Sequence, residues 1–261
     1  MKKHPMRTVS MTNIRGGCGK TTDALHAAIA AAKLGRRVLA VDLDPQAHLS
    51  LSLLADLPED PNAYIDAALH GRLTEPTKTL VPGLSVIPSH IQLAEILESS
   101  VLTRARWDEA LLRVIRQFSD DFDYAVIDTP ATYSRLHTLA FRASDGYLLS
   151  LRPEAFSLLG FVESREQVEN FKHEMELENP RFLGFFLNGV PKARRLAVER
   201  IREELSEDCE KMGFEVPQDT IFDEARWAGR ATKSIFDQPG TAELQEIFLS
   251  AWKTIEKRLE A

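Results

Sequence analysis

Cysteine is scarce in this chain. Only Cys18 and Cys209 occur among 261 residues, and no C-x-x-C pair is present. A disulfide framework needs several cysteines, and zinc or iron–sulfur sites need closely spaced ones. The sequence therefore excludes a disulfide-stapled domain, gives no obvious zinc or iron–sulfur ligands, and leads us to expect a reducing, cytoplasmic location.

Long apolar runs and an excess of positive charge are lacking too. No stretch has the length of a membrane span, and the N-terminal "MKKHPMRTVSM" has no apolar run suited to a signal peptide. Hydrophobic residues (44%) and charged residues (27%) occur at the levels of a folded globular protein. Because the net charge is -7, any contact with nucleic acid must come from a local basic patch.

Short apolar runs alternate with helical periodicity along the chain. Leu25, Ala28, Ile29 and Ala32 recur at helical spacing, which predicts a helix over Thr21–Leu34 with Gly35 as its cap. We predict strands at 7–13, 37–44, 84–89, 124–130, 146–153 and 181–190. This alternation predicts an α/β fold in one domain, residues 1–261, with a doubly wound, mostly parallel sheet and helices on both faces. The proline-rich segment 55–83 is expected to be a surface loop.

Residues 13–22, "NIRGGCGKTT", almost match the phosphate-binding pattern G-x-x-x-x-G-K-[ST], but Ile14 replaces its first glycine. The predicted strand before the loop and helix after it favour phosphate binding over a glycine turn that contains Lys-Thr by chance. In such loops the backbone N–H groups around the glycines, here Gly16, Gly17 and Gly19, turn toward phosphate oxygens. Lys20 would contact the β- and γ-phosphates and Thr21 would bind Mg²⁺, while Cys18 is a small filler.

Acidic residues end two of the predicted strands. Asp128 follows the apolar run "YAVI", where a Walker B acid would support Mg²⁺. Asp44, in "VDLDPQ", would lie at the same carboxyl edge of the sheet, where it could serve the site or simply cap the turn before Pro45. Asp42 is the weaker candidate because strand alternation points it differently from Asp44.

The runs "RGGCGKTT", "VDLDPQ", "YAVIDTPA" and "LRPEAFSLLG", in this order, resemble the ParA-type ATPases of the deviant Walker A group, which also contains MinD. The resemblance implies an ATP-binding, Mg²⁺-dependent ATPase that forms a homodimer with ATP sandwiched between its subunits. Arg15 stands where the family usually has a lysine that reaches the partner's phosphates. The resemblance also implies that Asp44 arranges the attacking water, that Thr22 lies near the α-phosphate and that Asn188 contacts adenine. From the residues alone, Arg15 could instead be a solvated loop residue, and Asn188, before Gly189, could serve a turn.

Two segments supply the local positive charge. Residues 191–202 contain five basic residues against one acid, and residues 226–233 contain three basic residues and no acid. In the resembled family, basic residues of this C-terminal portion bind DNA without sequence preference, although basic helices are often just solvated faces. The expected DNA-binding residues are Lys192, Arg194, Arg195, Arg200, Arg226, Arg230 and Lys233.

The resemblance further implies a ParB-like or other adaptor protein that stimulates hydrolysis, and a nucleoid-associated location. The acidic segment 163–178 is either a docking face for that adaptor or an ordinary solvated helix. A different class of function, a MinD-like regulator at the membrane, needs an amphipathic C-terminal helix. Phe248, Trp252, Ile255 and Leu259 share one face there, but we expect this face to pack on the sheet and expect no stable membrane association. An iron–sulfur ATPase is excluded because cluster cysteines are lacking.

Overall fold

One eight-stranded sheet organises the part of the chain that the structure describes. The structure is a computed structural model, and it describes residues 6–13, 16–73, 75–93, 106–132, 134–152, 158–190, 213–217 and 234–261. The strands are β1 (Arg7–Thr12), β2 (Val38–Asp42), β3 (Thr77–Lys78), β4 (Leu84–Ile87), β5 (Tyr124–Asp128), β6 (Gly146–Leu151), β7 (Arg181–Val190) and β8 (Gly213–Pro217). The helices are α1 (Lys20–Lys33), α2 (His48–Leu53), α3 (Ile65–Leu69), α4 (Ala110–Gln117), α5 (Arg135–Ala143), α6 (Leu158–Glu174) and α7 (Ala242–Glu260).

The strand order is β3-β4-β2-β5-β1-β6-β7-β8. All pairs are parallel except β3 with β4, so the predicted doubly wound, mostly parallel sheet is confirmed. The chain leaves β1 toward β2 on one side, and it later continues from β6 toward β8 on the other side. The carboxyl end of β1 is therefore a topological switch point, where open α/β sheets bind their ligands.

Both faces of the sheet are covered, which explains the continuous apolar strands. Every residue of β2, β5 and β6 is buried. Val38 and Ala40 of β2 join a core with α1 and α7, whereas Leu39 and Val41 join a core with α3, α4 and α5 on the other face. Helix α1 contributes its alanines to the first of these cores, where small side chains allow close packing.

The C-terminal helix α7 packs on the sheet, as predicted. Phe248, Trp252, Ile255 and Leu259 are fully buried, and Trp252 meets Tyr124 of β5 edge to face at 5.3 Å. The apolar face that a membrane-binding helix would expose is thus used in the core. No helix among the described residues is both long and apolar enough to cross a membrane.

The prediction of a loop over 55–83 is wrong in part. This segment includes a 3-10 turn at Pro61–Ala63, then α3, whose residues are all buried, and then the short edge strand β3. Helix α3 has only five residues, too few to show helical periodicity beside the prolines. The strands β3 and β8 were not predicted either. The strand predicted at 37–44 is too long, because β2 ends at Asp42 and Asp44 lies in the loop beyond it.

Candidate nucleotide-binding site

A glycine-rich loop connects β1 to α1 at the switch point. Gly17 and Gly19 have φ of 73° and 97°, left-handed conformations that glycine adopts without strain. Gly16 and Gly17 are exposed, Gly19 is half-buried and Cys18 is buried. Helix α1 begins at Lys20, so its free N–H groups and the positive end of its dipole lie at this loop. This is the local geometry that favours an anion.

Lys20, Thr21 and Thr22 form the first turn of α1. Lys20 is buried at 6% exposure, while Thr21 and Thr22 are half-buried. Lys20 lies near His137 and Asp128. Burial first, and then the charge of Lys20, lower the pKa of His137 in α5, and the same charge opposes the rise in the pKa of Asp128. The loop lysine, the helix terminus and the strand acid therefore lie close together.

Asp128 is the last residue of β5 and is fully buried. Neither of its carboxylate oxygens has a well-formed hydrogen bond within the described residues. Burial first, and then the charge of Asp42, raise the pKa of Asp128 well above its ordinary value, although the Thr21 hydroxyl and Lys20 lie close enough to oppose this rise. A buried carboxylate with few donors, beside a threonine hydroxyl, is a suitable partner for a hard cation such as Mg²⁺.

Asp42 lies beside Asp128 on the adjacent strand but has a different environment. Its carboxylate accepts hydrogen bonds from the Asp44 backbone N–H (3.0 Å) and from the N–H and hydroxyl of Ser50 (2.9 and 2.7 Å). Burial raises its pKa to about 6 despite these bonds. Asp42 therefore fixes the loop that follows β2, a role that the sequence did not indicate.

Asp44 lies in that loop and is half-buried. Its Oδ1 accepts a hydrogen bond from the Gln46 N–H at 2.9 Å, which is the turn-capping arrangement that the sequence left open. The other interpretation, that Asp44 arranges the attacking water, stays a prediction.

Asn188, near the end of β7, contacts the loop directly. Its Nδ2 donates to the Cys18 carbonyl at 3.0 Å and to Asp23 Oδ2 at 2.8 Å. A Cβ atom on Gly19 would lie only 2.6 Å from this nitrogen, so residue 19 must be glycine. The predicted contact between Asn188 and adenine stays a prediction beside this observed contact with the loop.

The sequence analysis missed two buried polar residues of α1. Asp23 is fully buried, and burial raises its pKa to about 8 although Ser150, Asn188 and Lys20 oppose the rise. His26 Nδ1 lies 2.7 Å from the Thr22 carbonyl, and its Nε2 accepts from the Ile235 N–H at 3.2 Å. The sequence feature that could have revealed them is an acid and a histidine among the alanines of "TTDALHAA".

Several predicted site residues lie outside the described residues. They are Arg15, the trans-acting candidate, and all seven expected DNA contacts: Lys192, Arg194, Arg195, Arg200, Arg226, Arg230 and Lys233. Their roles stay predictions.

Comparison with known proteins identifies the family of the chain that carries this site. The AAA domain family matches residues 6–181, which include β1, the glycine loop, β2 and Asp128. The chromosome partitioning protein ParA of Caulobacter vibrioides is 31% identical over 193 residues, covering 69% of this chain and 68% of that protein. The chain belongs to the ParA family. An uncharacterized Mycobacterium tuberculosis protein is 29% identical over 185 residues, and there the match covers only 55% of the relative's length.

Solved structures share the fold of this ParA-family chain. Apo McdA of Cyanothece superposes with a TM-score of 0.77 at 17% identity, covering 96% of this chain and 99% of that one. A pNOB8 ParA bound to nonspecific DNA gives 0.72 at 20% identity, covering 98% and 99%. Cobyrinic acid a,c-diamide synthase of Mycobacterium smegmatis, with bound ADP and magnesium, gives 0.75 at 23% identity, covering 98% and 96%. At these identities the likeness establishes the fold.

Proposed function

We propose that this ParA-family chain is an ATP hydrolase that works as a DNA-bound positioning switch. Its ATP-bound homodimer binds double-stranded DNA without sequence preference and releases it after hydrolysis, so that a plasmid, a chromosome or a protein assembly is partitioned or positioned. The chain acts in the cytoplasm on the nucleoid. The observation that carries the proposal is that the glycine loop, Lys20 and the buried carboxylate of Asp128 lie together at one edge of the sheet.

The nucleotide site follows from the chain's own groups. Loop N–H groups, Lys20 and the first turn of α1 hold the phosphates, and Thr22 lies next to Thr21 for the α-phosphate. Thr21 and Asp128 hold Mg²⁺, which neutralises phosphate charge when bound. A solved protein of the same fold carries ADP and magnesium, which supports this choice of ligands.

Hydrolysis needs an oriented water, and Asp44 is the proposed residue. It lies in the loop that Asp42 fixes, at the carboxyl edge of the sheet that also bears Asp128. Arg15 completes the site of the partner subunit, where its guanidinium offers a planar fork to phosphate oxygens. Turnover is slow until an adaptor of the ParB type, carrying a basic segment, stimulates it.

DNA binding comes from the basic residues of 191–202 and 226–233. Pairing two chains doubles the number of cations along the phosphate backbone, so affinity rises on dimerisation and falls steeply with salt. Two comparisons support this part of the proposal. One relative is named a chromosome partitioning protein, and one solved structure is a ParA bound to nonspecific DNA.

The test uses Asp44→Ala, with the exposed Asp56→Ala as the matched control. We expect Asp44→Ala to bind Mg²⁺-ATP normally but to hydrolyse it about 100-fold more slowly, because an oriented general base or water ligand contributes about that factor. It should also co-sediment with double-stranded DNA in ATP for longer than the wild-type protein. If wild type neither hydrolyses ATP nor binds DNA more tightly in ATP than in ADP, the proposal is wrong.

A further inference from the structure

A buried polar cluster lies beneath the glycine loop. It consists of Asp23 in α1, Ser150 in β6 and Asn188 in β7, and we name it the Asp23 cluster. The Ser150 hydroxyl donates to Asp23 Oδ2 at 2.5 Å, and Asn188 Nδ2 donates to the same oxygen at 2.8 Å. Three elements are thus joined at a single carboxylate oxygen.

The cluster is costly to bury, so it calls for an explanation. Asp23 and Ser150 are fully buried and Asn188 is 7% exposed. An apolar side chain at 23 would suit the alanine-rich α1 better, because a buried polar group must find partners to offset its lost hydration. Within the described residues, Asp23 Oδ1 and Asn188 Oδ1 still have no hydrogen-bond partner. The favourable position of an acid in the first turn of α1 offsets only part of this cost.

Asn188 connects the cluster to the loop. Its Nδ2 donates both to Asp23 and to the Cys18 carbonyl, so the carboxylate fixes the amide that holds the loop. The peptide between Cys18 and Gly19 is planar, and in a trans peptide the C=O and N–H groups point in opposite directions. With the Cys18 carbonyl held toward Asn188, the Gly19 N–H is directed away from the cluster.

We propose that Asp23 is a positioning residue for phosphate binding, acting through Asn188 to fix the Cys18–Gly19 peptide so that the Gly19 N–H faces the phosphates. This inference rests on the proposed nucleotide site and deepens it. It also gives Asn188 a function that differs from an adenine contact. A loop support affects every phosphate ligand, whereas an adenine contact affects only ligands that carry the base.

The test measures magnesium-free affinity for two ligands, ADP and inorganic tripolyphosphate, by displacement of a fluorescent ADP. We expect Asp23→Ala to weaken both by about tenfold, since it leaves the Asn188 amide without its anchor. Asp23→Asn keeps an oxygen that can accept both hydrogen bonds, so it should remain within about twofold of wild type. Asp66→Asn, which alters a buried acid of α3 away from the loop, is the matched control and should bind both ligands as wild type does.

Ser150→Ala removes one of the two donors to Asp23 and should weaken both ligands by a smaller factor. If Asp23→Ala does not fold, Ser150→Ala is the variant that tests the inference. Unchanged affinity in a folded Asp23→Ala, or in Ser150→Ala where the former is unfolded, overturns the inference, and so does a loss confined to ADP. A wild-type protein that binds neither ligand would instead contradict the proposed nucleotide site itself.

Discussion

Three aspartates at the carboxyl edge of the sheet have different surroundings, and their roles differ accordingly. Asp42 accepts three hydrogen bonds, Asp44 is half-buried and caps a turn, and Asp128 is fully buried beside the Thr21 hydroxyl. The sequence located all three at this edge, because parallel strands end together. It did not indicate that Asp42 fixes the loop after β2, since that role depends on Ser50, which is eight residues from Asp42 along the chain.

Asp128→Asn tests the cost of burying the Asp128 carboxylate. Without ligand, the variant should be more stable than wild type by about 1 kcal/mol, because a neutral amide costs less to bury beside Asp42 than a second carboxylate does. With ATP and Mg²⁺ the order should reverse, since only wild type gains stability from the metal. Urea denaturation of both proteins, with and without Mg²⁺-ATP, measures this. A variant that is less stable in both conditions would show that Asp128 has partners in the free protein.

At the scale of elements, α1 carries the site and is anchored at two points. Asp23 ties its first turn to β6 and β7, and His26 ties its second turn to Ile235, in the 3-10 turn Ile235–Asp237 that precedes α7. The periodicity of the sequence predicted α1 to within one residue at each end, because apolar residues recur at helical spacing up to Gly35. The anchors could not be predicted, because the residues they contact lie more than 120 positions away in the chain.

The anchor at His26 should make stability depend on pH. Burial lowers the pKa of His26 to about 4, whereas an unfolded histidine titrates near about 6.5, so the unfolded chain takes up the proton first as pH falls. The stability that neutral His26 provides is intact above the unfolded pKa and is lost as pH falls from there toward about 4. We expect about 2 kcal/mol less unfolding free energy at about pH 5 than at about pH 7 from this residue. His137 adds to the trend in the same direction, since burial lowers its pKa to about 4 as well.

Urea denaturation of wild type and His26→Gln at both pH values isolates the contribution of His26. The variant should lose less stability between about pH 7 and about pH 5 than wild type does. Equal losses in the two proteins would contradict the assignment.

The packing of α7 gives a second prediction at this scale. Trp252→Ala should lower the unfolding free energy by about 3–5 kcal/mol, because a fully buried indole leaves a large cavity. The exposed neighbour Lys253→Ala should change it little. Thermal or urea denaturation compares the two, and a mild Trp252→Ala phenotype together with liposome binding would restore the membrane-binding alternative.

For the whole molecule, the fold follows from the alternation of buried strands with helices, and the sequence was sufficient to predict it. The eight strands meet in one sheet whose switch point holds the loop, Lys20 and Asp128. The proposed homodimer also needs a second copy of the chain. In the proposal, Arg15 acts on a partner's nucleotide, and the basic segments bind DNA best in pairs.

Sedimentation velocity with a non-hydrolysable ATP analogue and Mg²⁺ tests the central claim of an ATP-bound homodimer most directly. Wild type should sediment as a monomer in ADP and as a dimer in the analogue, and Arg15→Ala should shift toward the monomer at the same protein concentration. A wild-type protein that stays monomeric in the analogue at saturating nucleotide would contradict the account.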